Sequence, residues 1–100
     1  MIRHTIMWKF AEEYGGMNKE QIMDSVISRL TALEGIISQI KAMRLEKDIL
    51  HSERSYDLIY ISEFDSLEAL EAYRVHPEHV KVAEFIKNVR VAQAVTDTEI

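Results

Sequence analysis

The strongest constraint on how this chain folds is a change of hydrophobic rhythm along it. From Ile2 to Phe10, the residues Ile2, His4, Ile6, Trp8 and Phe10 share one face, and Arg3, Thr5, Met7 and Lys9 share the other. Alternation every second residue, carried by β-branched and aromatic side chains, predicts a strand. From Asn18 the spacing lengthens to three and four. Ile22, Val26, Leu30 and Leu33 recur on one side, widened by Met23 and Ile27. That is the apolar stripe of an amphipathic helix. Ala11 to Met17 reads as a loop turned at Gly15-Gly16. Asn18 with Gln21 three residues on offers a helix-starting cap, and Gly35 offers a terminator.

The rhythm then returns to two. Ile36 to Lys47 alternates weakly and reads as a long second strand, with room for a bulge. Asp48 to Ser55 is a polar connection. Tyr56 to Phe64 is a third strand, with Tyr56, Leu58, Tyr60, Ser62 and Phe64 on one face. Asp65 is placed to cap the next helix, with Glu68 completing a capping box, and Leu67, Leu70 and Tyr73 lie near one side. Val82, Phe85, Ile86 and Val89 mark another helix, and Val91 to Thr98 a fourth strand.

The order strand–helix–strand–strand–helix–helix–strand predicts a ferredoxin-like α+β subunit. Its antiparallel sheet of four strands would carry helices on one face. The opposite face would bear Met7, Ile59 and Ile61 among Arg3, Lys9, Asp57 and Glu63. An apolar centre with a charged rim is the pattern of an interface, and a two-fold homodimer is the simplest partner.

Bulk properties exclude several function classes. With 100 residues the chain makes one domain, residues 1–100. The net charge of −5 and the absence of a Lys/Arg cluster argue against a nucleic-acid partner. Cysteine is absent, which removes disulfides and thiolate chemistry and fits a reducing, cytoplasmic setting. Met1-Ile2-Arg3-His4-Thr5 does not read as a signal peptide, and no apolar run is long enough to span a membrane.

Candidate chemistry concentrates in Tyr73-Arg74-Val75-His76-Pro77-Glu78-His79. This run holds two of the four histidines and the only proline. Proline suits the first turn of a helix, where its missing N–H is not needed. His76 therefore ends one helix and caps the next, His79 lies in the first turn of the second, and Tyr73 in the last turn of the first. His76 and His79 are also spaced to share a metal, but no carboxylate at a diagnostic spacing completes a ligand set. No phosphate loop, nucleophile elbow, haem motif or flavin motif is present. No metal and no cofactor is expected.

Several stretches together resemble a known family. They are Ile2-Arg3-His4 with Lys9-Phe10, Gly35-Ile36, Ser55-Tyr56-Asp57-Leu58 and Glu63-Phe64-Asp65-Ser66. Ala69-Leu70-Glu71-Ala72-Tyr73 and His76-Pro77-Glu78-His79 complete the set. In order and spacing over essentially the whole chain, this resembles the stress-responsive A/B barrel domain (Dabb) family of dimeric α/β-barrel proteins. The resemblance implies a ferredoxin-like subunit and a barrel built from two sheets. It does not imply one reaction, because many members have none assigned. A few plant members are polyketide cyclases that use a tyrosine and a histidine as acid/base groups. By resemblance to those, Tyr73 and His79 hold the catalytic positions, with His4 and His76 nearby.

The candidate ligand contacts are His4, Trp8, Tyr60 and His76. A histidine moves protons near neutrality, and a tyrosine hydroxyl donates to a developing oxyanion. The positive end of the helix starting at Pro77 would favour a neutral, basic His79. The plainer reading makes His76 a corner cap, His4 a hydrogen-bonded core histidine and Tyr73 a core residue with its hydroxyl paired. Trp8, Tyr60 and Phe64 share the space beneath the helices. They point to a small, flat ligand or to a filled cavity. Three readings stand: a homodimer binding a small organic ligand, a cofactor-independent lyase, cyclase or isomerase, and a structural stress-related dimer with a closed pocket.

Overall fold

A computed structural model describes residues 1–100. The elements are β1 (Ile2–Phe10), β2 (Glu13–Tyr14), β3 (Met17–Asn18), α1 (Lys19–Leu33), β4 (Ala42–Lys47), β5 (Leu58–Phe64), α2 (Leu67–Arg74), α3 (Pro77–Val89) and β6 (Arg90–Glu99). Four of the strands form one antiparallel sheet in the order β4-β5-β1-β6. This is the ferredoxin-like arrangement that the rhythm of the sequence predicts. No helix is long and apolar enough to cross a membrane.

The core lies between the sheet and the helices. Trp8 and Phe10 of β1 and Leu58, Tyr60, Ser62 and Phe64 of β5 are buried on one sheet face. Against them pack Ile22, Val26, Leu30 and Leu33 of α1 and Val82, Ile86 and Val89 of α3. Each large apolar side chain so buried contributes about 1.5–3 kcal/mol. The guanidinium of Arg29 lies 3.9 Å from the centre of the Phe85 ring, so a cation–π contact links the outer edges of α1 and α3.

Local chemistry departs from the sequence reading in several places. The long second strand shrinks to Ala42–Lys47, because Ile36 and Ile37 fold back and donate to the Leu33 carbonyl at 3.0 and 2.8 Å. Ile37 and Ile40 are both buried, and a spacing of three would put them on opposite faces of a strand. Gly35 supplies no left-handed cap; Glu34 ends α1 in a right-handed conformation. The Ala11–Met17 loop holds a small hairpin, β2–β3, around Gly15 and Gly16 at φ 57° and 84°. Two successive positive φ values make the tight turn that glycine allows.

The cap of α2 is Ser66, whose hydroxyl accepts from the Ala69 N–H at 3.1 Å, in place of Asp65 with Glu68. Ser66→Ala is therefore expected to cost about 1 kcal/mol in urea denaturation, and Asp65→Ala only a few tenths. Equal losses would reassign the cap.

The sheet face away from the helices carries Met7, Ile59 and Ile61, each half-buried, with Ala94 opposite Met7. Arg3 and Glu63 pair across β1 and β5 at 3.0 Å on the same face. Asp57 does not join this rim. Its carboxylate accepts from the Phe10 N–H at 2.8 Å and meets Lys19 of α1 at 3.3 Å.

Candidate functional site

The Tyr73–His79 corner is built by its backbone. The α2 helix ends at Arg74, Val75 follows in a right-handed conformation, and His76 is extended. The His76 Nδ1 accepts from the Glu78 N–H at 3.1 Å, and Pro77 opens α3. His76 is thus the cap of α3, which is the corner role expected for it. Its ring does not line the cavity described below, so its expected ligand contact is not among the contacts that the fold brings together.

His79 turns back across the corner. Its Nδ1 lies 2.9 Å from the Arg74 carbonyl, one of the acceptors left open at the end of α2. A carbonyl only accepts, so Nδ1 carries the hydrogen and Nε2 keeps its lone pair. Nε2 makes no hydrogen bond of its own. Burial holds the His79 pKa below its ordinary 6.5, nearby His4 acts in the same sense, and the bond to Arg74 opposes both. The neutral imidazole is favoured, chiefly by burial and not only by the helix end.

Tyr73 packs against His79 with ring centres 4.3 Å apart. Its hydroxyl lies 2.8 Å from that of Tyr60, and both residues are buried from bulk solvent. Burial pushes the Tyr73 pKa up, and Tyr60 adds to the rise. Tyr60 is raised as well, again by burial. Both rings stay neutral around neutral pH, where the pair acts as a hydrogen-bond donor. Only one of its two O–H protons is used between the rings; Ser62 stands beside the Tyr60 hydroxyl, and with Tyr60 donating to Tyr73 the Tyr73 O–H is the one left for a third acceptor.

The rings do not fill the space beneath the helices. Trp8 stacks on Tyr60 at 6.0 Å and 12°, and its indole N–H donates to Gln93 at 2.9 Å. Phe64 moves away under Tyr73, at 4.9 Å between centres. Stacking leaves a cavity of about 760 Å³ between the sheet and helices α2 and α3. Its volume is in the range of small-molecule sites, about 300–1,000 Å³. His4, Trp8, Tyr60, Tyr73 and His79 all line it, so five of the six candidate residues meet in one place. Apolar Leu67, Val80 and Val95 stand exposed at its mouth.

Two lining residues escape the sequence reading. Asp97 lies 2.5 Å from the His4 Nδ1, and Gln93 holds Trp8. Both belong to β6, the strand with the weakest pattern. Their signal is cross-strand: β1 and β6 pair His4 with Asp97 and Trp8 with Gln93. Each polar ring group on β1 thereby meets a polar partner on β6.

Chemically, the site offers a neutral base, a neutral donor pair and a chamber in which apolar side chains are mixed with charged ones such as Glu71, Glu84, Lys87 and Arg90. Comparisons with known proteins bear on the fold and the family. The family model of the stress responsive A/B barrel domain matches residues 2–100. Olivetolic acid cyclase of Cannabis sativa is 28% identical over 81 residues, covering 79% of this chain and 76% of that protein. Among solved structures, a dimeric ferredoxin-like protein of unknown function from Bacteroides fragilis superposes with TM-score 0.86 at 25% identity. The match covers 99% of this chain and 95% of that one. Hydroxynitrile lyase from Passiflora edulis superposes with TM-score 0.83 at 16% identity over 99% of this chain and 92% of its own, a likeness of fold. The alternating strands, the capped histidine corner and the match over residues 2–100 lead to one assignment: the chain belongs to the stress-responsive A/B barrel domain family.

Proposed function

We propose that this protein is a homodimer that binds a small, flat organic molecule in the cavity between its sheet and helices. The cavity of about 760 Å³, lined by Tyr73 and His79 together, carries this reading. Trp8 and Tyr60 present stacked faces to a planar ligand, and Leu30, Leu70 and Ile86 supply apolar surface. The solved Bacteroides relative is a dimer, and the half-buried Met7, Ile59 and Ile61 give this chain a face on which to pair.

Prodan, a flat naphthyl ketone whose emission shifts to the blue in apolar surroundings, tests the binding. The expected result is saturable binding with a blue shift, weakened about tenfold or more by Ala83→Trp. Ala83 lines the chamber and is itself exposed, so the larger ring blocks the space without entering the core. Absence of saturable binding, or binding indifferent to Ala83→Trp, rejects the reading.

The tautomer of His79 favours a second, stronger version. Nε2 is an unbonded acceptor in a neutral ring, beside a tyrosine pair with one O–H to spare. Together they suit removal of a proton next to a carbonyl: His79 takes the proton and Tyr73 donates to the oxygen that gains charge. The reaction class is a cofactor-independent lyase, cyclase or isomerase. The cyclase relative supports the class.

A further inference from the structure

His79 is not the sole imidazole on this cavity. His4 stands on the sheet wall, on β1, while His79 stands on the helix wall, on α3. A line of rings joins them. His4 meets Tyr60 edge-on at 6.4 Å, Tyr60 reaches the Tyr73 hydroxyl at 2.8 Å, and Tyr73 lies against His79 at 4.3 Å. The tyrosine pair is therefore flanked by a histidine on each side.

The two histidines are held alike. His79 spends Nδ1 on the Arg74 carbonyl, and His4 spends Nδ1 on Asp97, the one carboxylate within 4.0 Å of it. Each is left with an unbonded Nε2. The partners differ in charge: the Arg74 carbonyl is neutral, whereas Asp97 is a carboxylate. An anion at Nδ1–H fixes the tautomer and offsets the positive charge created when a proton reaches Nε2. Asp97 is half open to solvent, yet the His4 side chain is only 15% exposed. The dyad thus points inward from a wet rim.

We propose that His4 is a second proton acceptor of this cavity and that Asp97 is the residue that positions it. The inference rests on the proton-transfer reading above. In the step, a C–H bond beside a carbonyl breaks and its proton forms a bond to the His4 Nε2. The electron pair moves to the carbonyl oxygen, which accepts a hydrogen bond from the tyrosine pair. Return of the proton to carbon restores both partners, so no oxidant or co-reactant is needed. A ligand lying against Trp8 and Tyr60 has one imidazole on each side. The chamber can then deprotonate one position and protonate another.

The full-length protein is tested with acetophenone in deuterium oxide, following methyl deuteration by proton NMR. His79→Ala is expected to keep a residual rate above buffer, which Asp97→Asn lowers by about a further 10–100-fold and His4→Gln brings down to the buffer rate, with KM little changed. Imidazole nitrogen shifts provide a readout that needs no turnover. His4 is expected to hold its hydrogen on Nδ1 in the wild type and to become a mixture of tautomers in Asp97→Ala. A His79→Ala rate equal to buffer, or a residual rate indifferent to Asp97→Asn and His4→Gln, overturns this inference and leaves the proposed function standing. An unchanged tautomer in Asp97→Ala also overturns it. A His79→Ala rate equal to the wild type, or a wild-type rate equal to buffer, removes the proton-transfer reading itself.

Discussion

Replacing His79 by alanine lowers acetophenone deuteration by about 10²–10⁴-fold, the usual contribution of a positioned general base. The chain stays folded. The substitution removes one hydrogen bond to the end of α2, worth about 1 kcal/mol, and the freed Arg74 carbonyl lies at an exposed corner where water replaces the donor. The pH dependence separates chemistry from structure. Burial lowers the His79 pKa, so the base form persists below the ordinary value of 6.5. The acid limb of kcat/KM is expected below that value and vanishes in His79→Ala. Stability follows the same sign. A depressed folded pKa leaves the contribution of neutral His79 intact above 6.5 and lost as pH falls through the folded value. Thermal melts and rates are measured on the same samples. A large loss of melting temperature, with an unchanged rate per folded molecule, would assign His79 to the helix corner alone.

What the sequence discloses about this site follows the range of the forces involved. The corner is legible because Pro77 acts locally: it fixes its own backbone and thereby places His76 before the helix and His79 in its first turn. The strands β1 and β5 are legible because apolar and aromatic residues recur at every second position on their inward faces, with Ser62 the one small member. The start of β4 is not, because Ile37 and Ile40 look like members of a strand until a turn after α1 brings both to the core. Asp97 is hidden for a different reason. Its meaning depends on the register between the first and last strands, and that pairing forms only when the whole sheet closes.

The open cavity is hidden as well. Summed side-chain size suggests crowding from Trp8, Tyr60 and Phe64. Two of those rings share one volume by stacking, and the third leaves the chamber to support Tyr73. Packing geometry decides the outcome, and composition does not record it.

Met7→Asp is expected to convert the protein to a monomer that still binds prodan. Met7 lies on the central strand of the sheet, between Ile59 of β5 and Ala94 of β6, on the face away from the helices. In the free subunit the new carboxylate faces water, and its strand cost is at most about 1 kcal/mol. In a two-fold dimer it is buried twice, once in each subunit, among Ile59 and Ile61 neighbours that offer it no hydrogen-bond donor. At several kcal/mol for each unpaired charge, association weakens by about 10³-fold or more. Sedimentation across a range of concentrations reads the change. A wild type that is monomeric throughout, or a Met7→Asp variant that pairs as before, removes the homodimer from the proposal.

The cavity should survive the loss of the partner, because residues of one chain line it. Along β1, Met7 alternates with Ile6 and Trp8, so the pairing face and the binding chamber lie back to back on one strand. A monomer that keeps prodan shows that pairing stabilises the sheet without completing the site. A monomer that loses prodan while remaining folded shows instead that the curvature of β1, set by the partner, holds Trp8 and Tyr60 in their stack.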